Sequence, residues 1–190
     1  MRSGPFKPSV EPLWWTLANA GWVSLLVGTI VGLAGLYAAW FFYKKAQPRP
    51  SLQLTSDGTL LVGPVQTPLA EKLQILYDGA PVPQVTSTTI AVWNDGTATF
   101  RGEDIGKADP VRFILRSGKI LQAETESVSR DVIGARISVA ADDQATLSFD
   151  FFEPNDALVV RILHSSAPGD LSSAGTIVGL PQGIKPYQPF

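Results

Sequence analysis

The 190-residue chain has no cysteine and only one histidine. Without cysteine there are no disulfides, thiolate nucleophiles or cysteine-built zinc and iron–sulfur centres. Small secreted domains often rely on disulfides, so the same absence leans towards a reducing compartment. A lone histidine does not supply the common zinc donor sets, and no cofactor or metal ligand is assigned. No Walker A, G-x-G-x-x-G or G-x-S-x-G segment occurs, which excludes a phosphate-cradling loop and a hydrolase nucleophile elbow of those types. Charge is also missing from one long stretch, Leu13 to Tyr43.

That stretch reads as a transmembrane helix. From Trp15 to Trp40 it would rise roughly 37 Å, enough for a hydrocarbon core of about 30 Å. Trp14 and Trp15 at one end and Trp40, Phe41, Phe42 and Tyr43 at the other form the expected interfacial belt. A signal-peptide core runs only about 7–15 residues, and the closing WFFYKK resembles a stop-transfer signal, so the span is expected to stay as an anchor. Small residues recur at a fixed step, Ala20, Ser24, Gly28 and Gly32, with a second series Gly21, Gly28 and Gly35. A four-residue step keeps to one helix face, and small-xxx-small faces let helices approach closely in lipid. Self-association into a homo-oligomer is expected through this face.

Charge is segregated along the chain. Residues 1–50 carry Arg2, Lys7, Lys44, Lys45 and Arg49 against Glu11, a balance of +4, whereas residues 51–190 carry −6. An acidic domain without a basic stripe argues against nucleic acid and against lying flat on anionic lipid. Lys44, Lys45 and Arg49 follow the span closely, while Arg2, Lys7 and the amino terminus precede it. Clustering at the C-terminal end and a short N-terminal tail direct the downstream domain to the cytoplasmic side of the cell (inner) membrane.

After Ala46 the texture becomes that of a β-protein. The expected organisation is a flexible tail over 1–12, the transmembrane helix over 13–43, a basic proline-containing linker over 44–50, a β-domain over 51–180 and a proline-rich tail over 181–190. Strands are predicted at 51–55 and 60–62, forming a hairpin about Asp57-Gly58, then at 72–77, 87–93, 97–101, 111–116, 120–123, 135–140, 146–153, 158–164 and 176–180. Alternation assigns Leu158, Val160, Ile162 and His164 to one face, Leu147, Phe149 and Phe151 to another, and Thr89, Ala91 and Trp93 to the core. The fold class is therefore mainly β: one N-terminal transmembrane α-helix followed by an antiparallel β-sandwich, immunoglobulin-like, or a barrel.

Candidate binding or structural residues are Trp93, Asn94, Asp104, Asp150 and His164. The carboxylate pairs Glu103/Asp104, Glu124/Glu126 and Asp142/Asp143 fall in turn or strand-edge text, where solvation rather than acid–base work is expected. Asp150 is placed to pair with Arg136 or Arg161 across strands. A Ser-His-Asp arrangement would need Ser165 or a remote serine. No catalytic residue is assigned.

Trp93, Asn94 and Gly96, with Asp104, Ile105, Asp109 and Pro110, form a WN-x-G…DI…DP stretch. Phe149 and Asp150, with Ile162, Leu163 and His164, form an FD…ILH stretch. Together they resemble a group of uncharacterised prokaryotic membrane-anchored β-domain proteins. The resemblance covers about half the chain; it implies the architecture and transfers no chemistry.

The function expected is non-enzymatic: a membrane-anchored β-domain that contacts lipid through its helix and binds a protein partner or small ligand. The alternatives are a sensor–effector whose ligand-triggered oligomerisation perturbs the membrane, and a structural accessory subunit of a membrane complex.

Overall fold

A computed structural model describes residues 13–64, 74–180 and 183–187, with side chains from Gly21 onward. The chain divides at Gln47/Pro48 into two units.

The first contains helix α1, Leu13–Ala46. No proline interrupts it, so the backbone ladder runs unbroken. Gly21–Ala46 is long and apolar enough to cross a membrane, with a mean hydropathy of 1.9 and none of its apolar window buried. Its rise is about 39 Å. Thr29 satisfies its hydroxyl within the helix by donating to the Leu25 carbonyl at 2.8 Å. A Cβ added at Gly21, Gly28, Gly32 or Gly35 meets no other atom within 4 Å. Lys44 and Lys45 occupy the last turn, where cations complement the helix dipole. The Lys44 ammonium lies 4.7 Å from the Trp40 ring centroid, a cation–π contact. The Trp14, Trp15 and Ala20 side chains lie outside the described residues.

The second unit is a β-sandwich. Its larger sheet contains β1 (Leu52–Val62), β4 (Val85–Asn94), β7 (Ile120–Val128), β11 (Ala157–His164) and β13 (Lys185–Pro186), in the order β13-β1-β4-β11-β7. The facing sheet contains β6 (Arg112–Leu115), β8 (Arg136–Ala141), β9 (Gln144–Ser148) and β12 (Leu171–Ala174), in the order β12-β6-β9-β8. Two short pairs complete it: β2 (Ile75–Tyr77) with β3 (Ala80–Val82), and β5 (Phe100–Arg101) with β10 (Phe151–Phe152). All described pairings are antiparallel except β1 with β13. Ile90, Val92, Leu158, Val160 and Ile162 from one sheet and Phe113, Leu115, Ala145 and Leu147 from the other fill one core. The β2–β3 turn, Asp78-Gly79, has both residues at positive φ (48° and 79°), the requirement of a type I′ hairpin that Asp-Gly meets.

Alternation predicts β11 correctly: Leu158, Val160, Ile162 and His164 are all buried. Other expectations need correction. Asp57-Gly58 is not a turn; β1 runs through it, pairing Asp57 with Thr89 and Gly58 with Thr88. In β4 the buried set is Thr86, Thr88, Ile90, Val92 and Asn94, so Trp93 faces outwards and is not the buried tryptophan of an immunoglobulin-like core. The 146–153 alternation breaks at Phe149 and Asp150, which leave the strand because the Asp150 N–H donates to the Ile133 carbonyl. Phe149 and Phe152 therefore both turn inwards, their centroids 5.3 Å apart, and Phe151 is exposed. Finally, 176–180 forms only isolated bridges at Ile177 and Leu180, and the last strand before the tail is β12.

Part of the expected C-terminal tail is also strand. β13 pairs with Gln53 and Leu54, and the Tyr187 N–H donates to the Leu54 carbonyl at 2.7 Å. The Tyr187 ring meets Trp93 edge-on at 5.4 Å. Of the predicted 72–77 strand, 72 and 73 lie outside the described residues.

The corrected register has a measurable consequence. Phe152→Ala removes a fully buried ring and should cost about 3–5 kcal/mol, whereas Phe151→Ala should cost under about 1 kcal/mol. Denaturant unfolding of the two variants in detergent checks this; equal costs would contradict the register.

Candidate functional site

His164 ends β11 on the inner face and is fully buried. Both ring nitrogens are engaged: Nε2 lies 2.8 Å from the Thr88 hydroxyl and Nδ1 2.8 Å from the Ser166 hydroxyl. Thr86 donates to the Ser166 carbonyl at 2.6 Å, and the Ser165 hydroxyl accepts from the Lys119 N–H at 2.8 Å. The serine in contact with the histidine is thus Ser166, not Ser165. A serine beside a histidine is the start of a nucleophile–base pair, but both are buried. Burial holds the imidazole below its ordinary value of 6.5, against smaller opposing effects of the Asp170 charge and of the Ser166 backbone as hydrogen-bond acceptor. This cluster holds the β4 and β11 ends together.

A second polar centre lies where β4 ends. Asn94 donates to the Ala98 carbonyl at 2.8 Å and the Phe152 carbonyl at 3.2 Å, and accepts from the Gly96 N–H at 3.0 Å. The 95–97 loop so held receives the chain entering the sandwich. Arg49 accepts from the Thr97 N–H at 2.9 Å and donates its own N–H to the Thr97 hydroxyl at 2.9 Å. A side chain at Gly96 would collide with the Arg49 carbonyl oxygen, so glycine is required for this approach. Beside Asn94 sits Asp156, whose carbonyl accepts from the Asn94 N–H. Its carboxylate, 4% exposed, is gripped by Arg130 through Nε at 2.7 Å and a terminal nitrogen at 2.6 Å. Arg130, then the Glu153 N–H, hold Asp156 below the usual carboxylate range despite burial.

Asp104 and Asp150 also close turns. Asp104 accepts from the Arg101 N–H at 2.7 Å and caps the 3-10 turn Gly102–Asp104. Asp150 meets Arg136, one of its two expected partners, through two 3.3 Å contacts, while Arg161, the other, binds Glu126. Asp109, outside the candidate set, accepts from Thr176 at 2.7 Å and pairs with Arg112; the Thr176 bond and then Arg112 lower its titration. Trp93 rests on Tyr187, at the outer surface. Each of the five candidates thus has a structural role visible in its contacts.

The outer face of the larger sheet is different. Register places two four-residue rows across it: Asp57–Thr89–Arg161–Glu124, and beside it Thr59–Ser87–Leu163–Gln122. With Leu61 they line a depression of about 530 Å³, within the usual range for small-ligand sites. The β2–β3 hairpin reaches its margin, Tyr77 donating to Gln122 at 3.1 Å. These rows escape sequence reading because no motif joins them; they arise only from pairing four strands distant in sequence. Among the described residues, no three His, Cys, Asp or Glu side chains converge to hold a metal ion.

Comparison with protein-family models, with curated proteins and with solved structures finds no match to this chain.

Two predictions follow from the buried polar groups. As pH falls, unfolded chains take up a proton at His164 near 6.5 before folded ones do. Stability from this group is therefore complete above about 6.5 and declines below it, by at most about 1.4 kcal/mol per pH unit. Thermal melts from pH 7.5 to 5 should show that decline, and His164→Gln should flatten it. Asp156→Asn breaks the grip of Arg130 and should cost about 2–3 kcal/mol; a melting temperature equal to wild type would refute this.

Proposed function

We propose that the protein is a single-pass, membrane-anchored binding module. Helix α1 anchors it in the cell (inner) membrane, with Lys44 and Lys45 at the headgroup level and the sandwich on the cytoplasmic side. The Gly28/Gly32 face brings copies together, and the sandwich binds a protein partner or small ligand without turning it over. The observation that carries this reading is an apolar helix of membrane-spanning length, none of its apolar window buried, on the chain that forms a closed sandwich. A non-enzymatic role is supported by the sealed state of the Ser166–His164 pair. The −6 balance of residues 51–190 disfavours nucleic acid as the partner.

The test is made in cells. The full chain should resist alkaline extraction from membranes, and protease should reach the sandwich only after permeabilisation. Cross-linking should yield dimers or higher species, and Gly28→Leu/Gly32→Leu should reduce their yield at least about fivefold, the low end of a 1–2 kcal/mol helix–helix contribution. Release at alkaline pH would overturn the anchor, digestion in intact cells the orientation, and unchanged cross-linking the self-association.

A further inference from the structure

Resting on the reading of the sandwich as a binding module, we propose that the outer-face depression binds a linear aliphatic polyamine. Its chemistry follows from the row Asp57–Thr89–Arg161–Glu124. Strands lie about 4.8 Å apart, so Asp57 and Glu124, three strands from each other, are separated by about 14 Å along the sheet. Both are exposed. Asp57 has no ion-pair partner among the described residues, and Glu124 receives only the Gln122 amide at 3.3 Å. The one cation in the row, Arg161, is already neutralised by Glu126. The depression therefore carries net negative charge at its two ends and a neutralised pair within it.

This arrangement selects among ligand classes. An anion would meet carboxylates at both ends, and the only guanidinium is taken. A metal ion cannot bridge Asp57 and Glu124, because metal–oxygen bonds of 2.0–2.6 Å need ligands far closer together. A short monoamine reaches one end only. A long amine with a cation at each end reaches both, its methylenes lying along Leu61 and Leu163 and its central N–H groups meeting Thr89 and Ser87. The floor is fixed in place, since β4 and β11 pair throughout and the opposite faces of both strands are in the core. The depression is thus formed before any ligand arrives.

The experiment titrates spermine into the full chain held in phosphatidylcholine nanodiscs, whose zwitterionic lipid offers the amine no net charge. Saturable binding is expected. It should weaken about tenfold in Asp57→Asn/Glu124→Gln, two exposed ion pairs being lost. It should be nearly unchanged in Asp142→Asn/Asp143→Asn, which removes the same charge from the β8–β9 turn. Putrescine, too short to reach both ends, should bind about tenfold more weakly than spermine, and an uncharged glycol of spermine's length should not bind. All four variant side chains are exposed, and equal melting temperatures will confirm folding. Absence of spermine binding, equal affinity in the Asp57/Glu124 variant, equal loss in the Asp142/Asp143 variant, or equal binding of putrescine or the glycol would each overturn the assignment. Nanodisc incorporation and cross-linking report separately on anchoring and self-association, so failure of the ligand assignment is distinguishable from failure of the anchored-module reading.

Discussion

The Asn94 side chain is the constraint on which this sandwich depends. One amide fixes the turn at Gly96, the loop carbonyl of Ala98 and the β10 carbonyl of Phe152. An amide is suited to this because it both donates and accepts, and in a buried position each lost bond would leave a stranded polar group. Aspartate at this position would lose both donated bonds, and leucine would lose all three. Through the same loop the chain arriving at Arg49 is secured, and through the neighbouring Asp156 the 129–130 segment is secured as well. A single side chain thereby coordinates chain entry, sheet end and core closure.

Much of this architecture was legible from local pattern. The uncharged run from Leu13 to Tyr43 announces its helix, and alternation announces β11. Failures arose where tertiary context overrides pattern. In β4 both faces carry hydroxyl and apolar residues, and the bulk of Trp93 suggests the wrong one. The inner face is set instead by Ile90, Val92 and the fully bonded Asn94, while Trp93 finds Tyr187 outside. Asp57-Gly58 has the composition of a turn, yet β4 offers partners along its whole length. A glycine also suits that position, because Pro168 and the Thr88 hydroxyl approach within 3.2–3.3 Å of where a side chain would begin. The break at Phe149 and Asp150 depends on the distant Ile133 carbonyl, which no periodicity reveals. Of the candidate residues, Asn94, Asp104 and Asp150 stand out in sequence because turns need them.

Inner and outer polar groups differ in kind. Among the described residues no buried side-chain nitrogen or oxygen lacks a hydrogen-bond partner. Thr86, Thr88, His164 and Ser166 are therefore mutually satisfied and chemically quiet. Across the sheet, Asp57 and Glu124 carry charge that the neighbouring side chains do not cancel. The charge that this sheet leaves uncancelled therefore lies on its outer surface, while its inner polar groups are spent on one another.

The parallel pairing of β13 with β1 has a mechanical meaning. The chain enters the sandwich at β1, and β13 leaves beside it, running in the same direction. Tension applied between these two ends drags the strands past one another along their length. Their hydrogen bonds are then loaded together in shear instead of being peeled one at a time. The longer β1–β4 ladder, from Leu52 to Val62, backs that short contact, so this edge of the sandwich is placed to resist a pull.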